Sequence, residues 1–188
     1  MVKLVVGLTG PIGSGKDTLA LGLVEKLGAV RIKFADPLYK MATALDHIIQ
    51  PDMAHADKDM PLWGMEGLPT RRRVMETLGT EWGRALHTSL WIDAARHAIE
   101  QADTDLVIVS DVRFPDEAEY IRSVGVLVHL FPNWECQRTG HVSDTRLEKH
   151  GQDVILPLSN GKVADGLKGL QQIIDLYRLG LVDSIGIP

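Results

Sequence analysis

With 188 residues the chain is long enough for one α/β domain with a sizeable core, and its length calls for no second one. Hydrophobic residues make up 45% and charged ones 24%, and a net charge of −5 argues against a general nucleic-acid or membrane-surface binder while leaving room for a local anion site. The single cysteine, Cys136, excludes an internal disulfide and a cysteine-based zinc site. No apolar run approaches the ~18 residues of a membrane span. The N-terminus also lacks the basic and apolar regions of a signal peptide, so a cytoplasmic protein is expected.

The first predicted strand, 3–9, leads into the stretch "GLTGPIGSGKDTLA" and then into a helix marked by Leu19, Leu23 and Leu27. Gly10, Gly13 and Gly15 allow the backbone between strand and helix to fold into a nest of N–H groups, which binds phosphate through fixed dipoles. Lys16 adds a mobile charge for the β- and γ-phosphates of a nucleotide. The residue after this lysine is normally a hydroxyl that meets Mg²⁺, but here it is Asp17, and Thr18 comes one position late. Asp17 either holds Mg²⁺, directly or through water, or is a first-turn acid that favours the helix dipole. Gly13, Ser14, Gly15, Lys16, Asp17 and Thr18 are thus the expected nucleotide-binding residues, with Asp17 a candidate metal ligand.

A second strand is expected over roughly 30–34. About 70 mostly helical residues then precede the third, placed to cap the carboxyl edge of the sheet, where ligands of open α/β folds bind. Within this insertion "QPDMAHADKDMPLWGMEGLPT" has weak periodicity and reads as a candidate mobile loop. The following "TRRRVMETLGTEWG" makes Arg72–Glu76 and Arg73–Thr77 helical i, i+4 neighbours. Arginine's fork suits bidentate phosphate binding, and a solvated charged face is the alternative for each, Arg71 included.

The third strand, "LVIVS", ends in Asp111 and Arg113, with Glu117 beyond. An acid at the end of a buried strand beside a phosphate loop is the usual second partner of the metal, and Arg113 projects over the same edge. Runs apolar at every position, such as "LVIVS" and "VLVHLF", suit strands covered on both faces of a parallel sheet. His129 inside the latter is expected to pack. Ala118, Ile121 and Val124 mark the next helix, and Leu167, Leu170, Ile173, Ile174 and Leu176 the last. The loop 159–162 carries Asn160 but no N-K-x-D box, which weighs against a GTPase. Alternating strands and helices imply a doubly wound sheet.

The segments "GSGKDT", "FADPLYK", "RRRVMETLGTE", "LWIDA", "VSDVRFPDE", "GVLVHL" and "HVSD", in that order, resemble the deoxynucleoside monophosphate kinases of tailed bacteriophages. In that family G-K-D-T is the normal ending of the loop. The resemblance implies a nucleoside monophosphate kinase-like α/β fold: a five-stranded parallel sheet flanked by helices, a helical nucleotide-binding insertion over about 36–104 and a lid over about 132–150. It implies transfer of the γ-phosphate of ATP to a dNMP with Mg²⁺, a small-molecule substrate with no nucleic-acid or membrane partner, and a homodimer. Arg72, Arg73 and Arg113 correspond to the arginines around the acceptor phosphate, and Trp91 to a tryptophan near the substrate. Arg138 corresponds to the mobile cation of the lid. Lys33, Asp36, Glu76 and Asp111 are further expected substrate contacts, and Asn160 an ATP contact. Asp36 orients the acceptor or a metal-bound water, and Glu76, where a glutamine can occur, bears on base choice. A kinase for another phosphomonoester and a nucleotide-binding switch remain the alternatives.

Overall fold

The computed structural model describes residues 3–136 and 147–181. In chain order the elements are β1 (Leu4–Thr9), α1 (Lys16–Leu27), β2 (Val30–Ile32), α2 (Asp36–Leu45), α3 (His55–Asp59), a 3₁₀ turn (Leu62–Gly64), α4 (Arg71–Glu76), a π-helical segment (Thr77–Gly83) and α5 (Arg84–Leu86). They continue with α6 (Leu90–Gln101), β3 (Leu106–Val109), α7 (Pro115–Val124), β4 (Gly125–Pro132), β5 (Val154–Leu158) and α8 (Val163–Arg178). The chain divides into two compact units, Met1–Lys33 with Ala98–Pro188, and Phe34–His97.

In the first unit the described strands form one five-stranded sheet in the order β2-β3-β1-β4-β5. All four pairings are parallel. β1 and β3 are buried at every position, as expected of strands covered on both faces. Leu19, Leu23, Leu170 and Ile174 of α1 and α8 join Leu8 and Ile108 in the core. A Cβ on Gly22 would lie 2.7 Å from Leu167, so α1 and α8 pack closely because that position has no side chain. A Cβ on Gly7 would lie 2.6 Å from Ile121 of α7. Val124, read with Ala118 and Ile121 as one apolar stripe, is instead exposed, because it is the last residue of α7, where the chain turns into β4.

His129 packs as expected and also carries a polar role. Its Nε2 lies 2.9 Å from Asp153, whose carboxylate also accepts from Arg122 at 2.7 and 2.8 Å and from the His150 amide at 2.8 Å. Burial pushes the Asp153 carboxyl up, but these donors outweigh it and hold it below the usual carboxylate range. The cluster ties α7 to β4 and to the segment entering β5.

The second unit explains why the loop of weak periodicity is nevertheless folded. Pro61 and Thr70 form an antiparallel bridge, Leu62 donates to the Pro69 carbonyl and Arg71 to the Met60 carbonyl. Trp63 adopts φ 53°, a strained left-handed conformation for a bulky residue. Its amide donates to Asp46 at 3.1 Å and its indole to the Leu45 carbonyl at 3.0 Å. Arg71 is buried, with its Nε 2.8 Å from Asp46. Burial raises the Asp46 carboxyl, and Arg71 with the Trp63 and Ile48 amides brings it below its ordinary value. Arg71 is therefore an internal tie between the α4 N-terminus and the residue after α2, and no solvated face.

Along the helical run from Arg71, seven residues are π-helical, a form that occurs mostly as short bulges. Trp91 lies against this stretch: its indole donates to the Gly79 carbonyl at 2.7 Å, and a Cβ on Gly83 would come within 2.0 Å of the ring.

Two stability predictions follow from these clusters. Asp153→Asn removes the charge from a carboxylate that is 0% exposed and leaves Arg122 short of its counterion, at a cost on the order of 3 kcal/mol. Because the folded acid titrates below its unfolded value of about 3.9, that stability is present above this pH and lost as pH falls through the folded value. The stability gap between wild type and variant, from urea melts at several pH values, should shrink on acidification; a gap constant down to pH 2 would contradict the assignment. Gly83→Ala, at a backbone φ of −65° where alanine is the better helix former, should still destabilise by about 2 kcal/mol through the clash with Trp91. Thermal denaturation reads this, and an unchanged or raised midpoint contradicts it.

Candidate active site

The site is built on the carboxyl edge of the sheet. β1 and β3 run parallel with Gly7 opposite Val109, so the residues after each strand emerge side by side. After β1 the chain turns through Gly10, Gly13 and Gly15 at φ 152°, 82° and 87°, and α1 begins at Lys16. The last two angles belong to the left-handed region that favours glycine. The loop therefore closes on the N-terminus of a twelve-residue helix, whose N-cap, Gly15, carries no side-chain capping hydrogen bond. Ser14 is fully buried beneath it.

Lys16 folds back over this loop. Its Nζ donates to the carbonyls of Gly10 at 2.7 Å and Pro11 at 2.8 Å, with Ser14 Oγ at 3.4 Å. Burial, and next the Arg113 guanidinium, push the Lys16 ammonium down to about 8, against an upward pull from Asp17, Asp111 and Cys136. Two cations and two acids therefore act on each other at the mouth of the loop.

Asp17, on the first turn of α1, is joined to two other strand ends. Its Oδ1 lies 2.9 Å from Lys33 Nζ, just past β2, and accepts from Ser110 Oγ, just past β3, at 3.0 Å. Arg31 Nη1 of β2 is 3.6 Å from the same oxygen. Burial raises the Asp17 carboxyl, and Lys33, Ser110 and Arg31 together hold it below its ordinary value. Sequence reasoning missed Ser110 and Arg31. The signal was present in the period of a strand, which puts Arg31 and Lys33 on one side, and in Ser110 as the first polar residue after an apolar run.

Glu117, grouped in the sequence with Asp111 and Arg113, caps α7: its carboxylate accepts from the Arg113 and Phe114 amides at 2.8 and 3.1 Å. The backbone bearing Arg113 is thereby anchored. Thr18 lies on the exposed side of the first turn of α1. Trp134, beyond β4, donates from its indole to the Gly13 carbonyl at 3.3 Å, a contact with the loop that its sequence position did not reveal. The amide of Asn160 donates to Asn133 at 3.1 Å, linking the loops after β4 and β5.

Asp36, Arg72, Arg73, Glu76 and Trp91 belong to the second unit. Arg72 pairs with Asp59 at 2.6 Å and Arg73 with Glu81 at 2.7 Å, so the partners expected along the helix are replaced by acids from other turns. Trp91, expected near the substrate, is buried and gives its indole N–H to Gly79. Arg138 and most of the expected lid lie outside the described residues.

Among the described residues no group of three or more His, Cys, Asp or Glu is arranged to hold a metal ion. A divalent cation would take most of its ligands from phosphate oxygens and water, as Mg²⁺ commonly does, with one or two carboxylates from the protein. Asp111 and Asp17 are the acids available for that. The donor set fits a metal–nucleotide complex better than a free ion.

No protein-family model matches the chain. It is 22% identical over 186 residues to the deoxynucleoside-5'-monophosphate kinase of Escherichia phage T5, covering 67% of this chain and 74% of that protein. It is 30% identical over 139 residues to a protein of Acanthamoeba polyphaga mimivirus named "Putative deoxynucleotide monophosphate kinase", covering 65% of this chain and 70% of that protein. Among solved structures, shikimate kinase from Aquifex aeolicus superimposes with a TM-score of 0.52 at 15% identity, over 94% of this chain and 99% of that one. At that identity the likeness concerns the fold alone, a P-loop kinase sheet. The loop ending G-K-D-T, the sheet that presents it and the two sequence relatives lead to one conclusion: the chain belongs to the deoxynucleotide monophosphate kinase family.

Proposed function

We propose that this protein moves the γ-phosphoryl group of ATP from the β,γ-bridging oxygen to a phosphate oxygen of a deoxynucleoside monophosphate, giving the diphosphate and ADP. Besides family membership, one observation carries the reading. Lys16 and Arg113 are held near enough, at the mouth of an amide nest, for one to depress the other's pKa. Asp17 and Asp111 offset part of that repulsion, and a polyphosphate is the ligand that the amide nest and the two cations together suit.

Phosphoryl transfer needs positioning and charge neutralisation more than covalent chemistry. The loop amides and Lys16 hold the donor's phosphates, and Arg113 steadies the phosphoryl group in transit. We assign Mg²⁺ to Asp111 together with the phosphates, where it would neutralise the β- and γ-oxygens. Acceptor recognition falls to Arg72, Arg73 and Glu76 of the insertion, as the family resemblance implies. Asp36 needs only to orient the acceptor, because a phosphate-monoester oxygen is already a nucleophile at neutral pH. On the same resemblance we expect a homodimer working in the cytoplasm.

ATP consumption measured with each dNMP, each NMP and dephospho-CoA in turn tests the reading. A response to the dNMPs is expected, and a response to dephospho-CoA alone, or turnover indifferent to any acceptor, would refute it. Lys16→Met should lower kcat by about 10²–10³ while leaving the melting temperature unchanged, the usual loss when one charged contact to developing charge is removed. A variant that keeps a tenth of the activity contradicts the donor assignment.

The electrostatics give a separate test. Lys16 binds phosphate as the ammonium, and its folded value of about 8 means that the charge is present below that pH and lost above it. ADP affinity, measured by calorimetry, should therefore weaken as pH rises past about 8. Arg113→Gln, which removes a cation that lowers Lys16, should move that limb to higher pH. An unmoved limb would show that Arg113 does not act on Lys16.

A further inference from the structure

We propose that Lys33 is a second phosphate-positioning cation of this site and that Asp17, at the position where a P-loop normally carries its metal-binding hydroxyl, is the residue that positions it. The inference rests on the kinase reading for its substrate class, a polyphosphate, but its evidence is the geometry around one oxygen. Lys33 Nζ at 2.9 Å, Ser110 Oγ at 3.0 Å and Arg31 Nη1 at 3.6 Å all face Asp17 Oδ1. An oxygen already facing two cations and a hydroxyl donor is a poor ligand for a divalent cation, which would have to sit beside those charges.

The placement of the lysine supplies the rest. β2 is an edge strand, and β3 separates it from β1. From the end of β2, Lys33 reaches past the end of β3 to the first turn of α1, where Asp17 follows Lys16 directly. Its ammonium is therefore fixed beside the phosphate loop. The Lys33 side chain is 5% exposed, whereas Asp17 is 54% exposed, so the pair lies at the rim of the edge with its acid towards solvent. Burying an ammonium is costly, and ion pairs of this kind are often replaced by apolar residues without loss of stability. A methionine or leucine would close the end of β2 at least as well. What an apolar residue cannot supply is a positive charge with a defined direction, and the three contacts on Asp17 supply that direction.

The sign of one measurement separates this role from its rivals. Asp17 is an anion beside an anion site. If it acted only through its charge, or only as a metal ligand, removing the charge would leave metal-free polyphosphate binding unchanged or make it tighter. If it positions Lys33, the same change weakens binding. Inorganic tripolyphosphate is titrated calorimetrically into the whole protein in the presence of a chelator. Asp17→Asn and Lys33→Met should each weaken binding about tenfold, the range for one charge-assisted phosphate contact. The double variant should also lose about tenfold, because the second change removes nothing that the first has left in place. Lys33→Arg, which keeps the charge and the reach, should stay within about threefold of wild type, and it carries the test if Lys33→Met folds poorly. Tighter or unchanged binding in Asp17→Asn, or losses that multiply to about a hundredfold, would overturn the proposal. A wild-type protein that binds tripolyphosphate but shows no dNMP-dependent ATP consumption would refute the kinase reading and leave this one to be decided by the same titrations.

Discussion

Several positive charges must share one edge of one sheet, and that constraint organises the rest of the site. Parallel pairing sends the ends of β1, β2 and β3 to the same side, so Lys16, Arg31, Lys33 and Arg113 issue from neighbouring strand ends or loops. Left to themselves they would repel one another. The contacts and charges around them offset that repulsion: Asp17 accepts from Lys33 and Ser110, Asp17 and Asp111 pull the Lys16 ammonium up, and burial with Arg113 brings it down to about 8. The polyphosphate proposed for this edge would bring it further negative charge. A polyphosphate serves this edge better than a single carboxylate would.

The same constraint explains why the loop carries an aspartate after its lysine. A small hydroxyl there would leave Lys33 without the counterion that now holds it at 2.9 Å. The acid is thus as much a partner of β2 as a member of the loop. A site assembled from three strand ends is stiffer than a loop alone, because each contact is fixed by a strand whose register is set by a buried core.

In the insertion, three consecutive arginines have three different surroundings. Arg71 is buried against Asp46 and anchors the turn that carries Trp63, whereas Arg72 and Arg73 pair with acids at a more exposed surface. A buried guanidinium bound to a buried carboxylate is costly to free, so Arg71 is structural. Pairs at the surface are worth little, and a phosphate could exchange with Asp59 or Glu81 at small cost. The alignment of charges along a helix does not distinguish these cases; the neighbours that fold over each side chain do.

What the sequence determined by itself was local and periodic. Apolar runs with no polar face marked β1, β3 and β4 as strands covered on both sides, helical spacing marked the buried faces of α1 and α8, and the glycines before Lys16 required a phosphate-binding turn. Those features depend on backbone conformation and on period, and both are written in neighbouring residues. Only the tertiary structure decided which distant side chains meet. Asp17 with Lys33 and Ser110, Trp134 with Gly13, Trp91 with Gly79 and Arg71 with Asp46 are contacts across 12 to 121 positions of chain. The order of the strands, β2-β3-β1-β4-β5, is not the order of the chain, and no periodicity within a segment encodes it. It arises from packing the whole core at once. For that reason the identity of the loop was legible in fourteen residues, whereas the partner of its aspartate became visible only when β2 and β3 were laid beside β1.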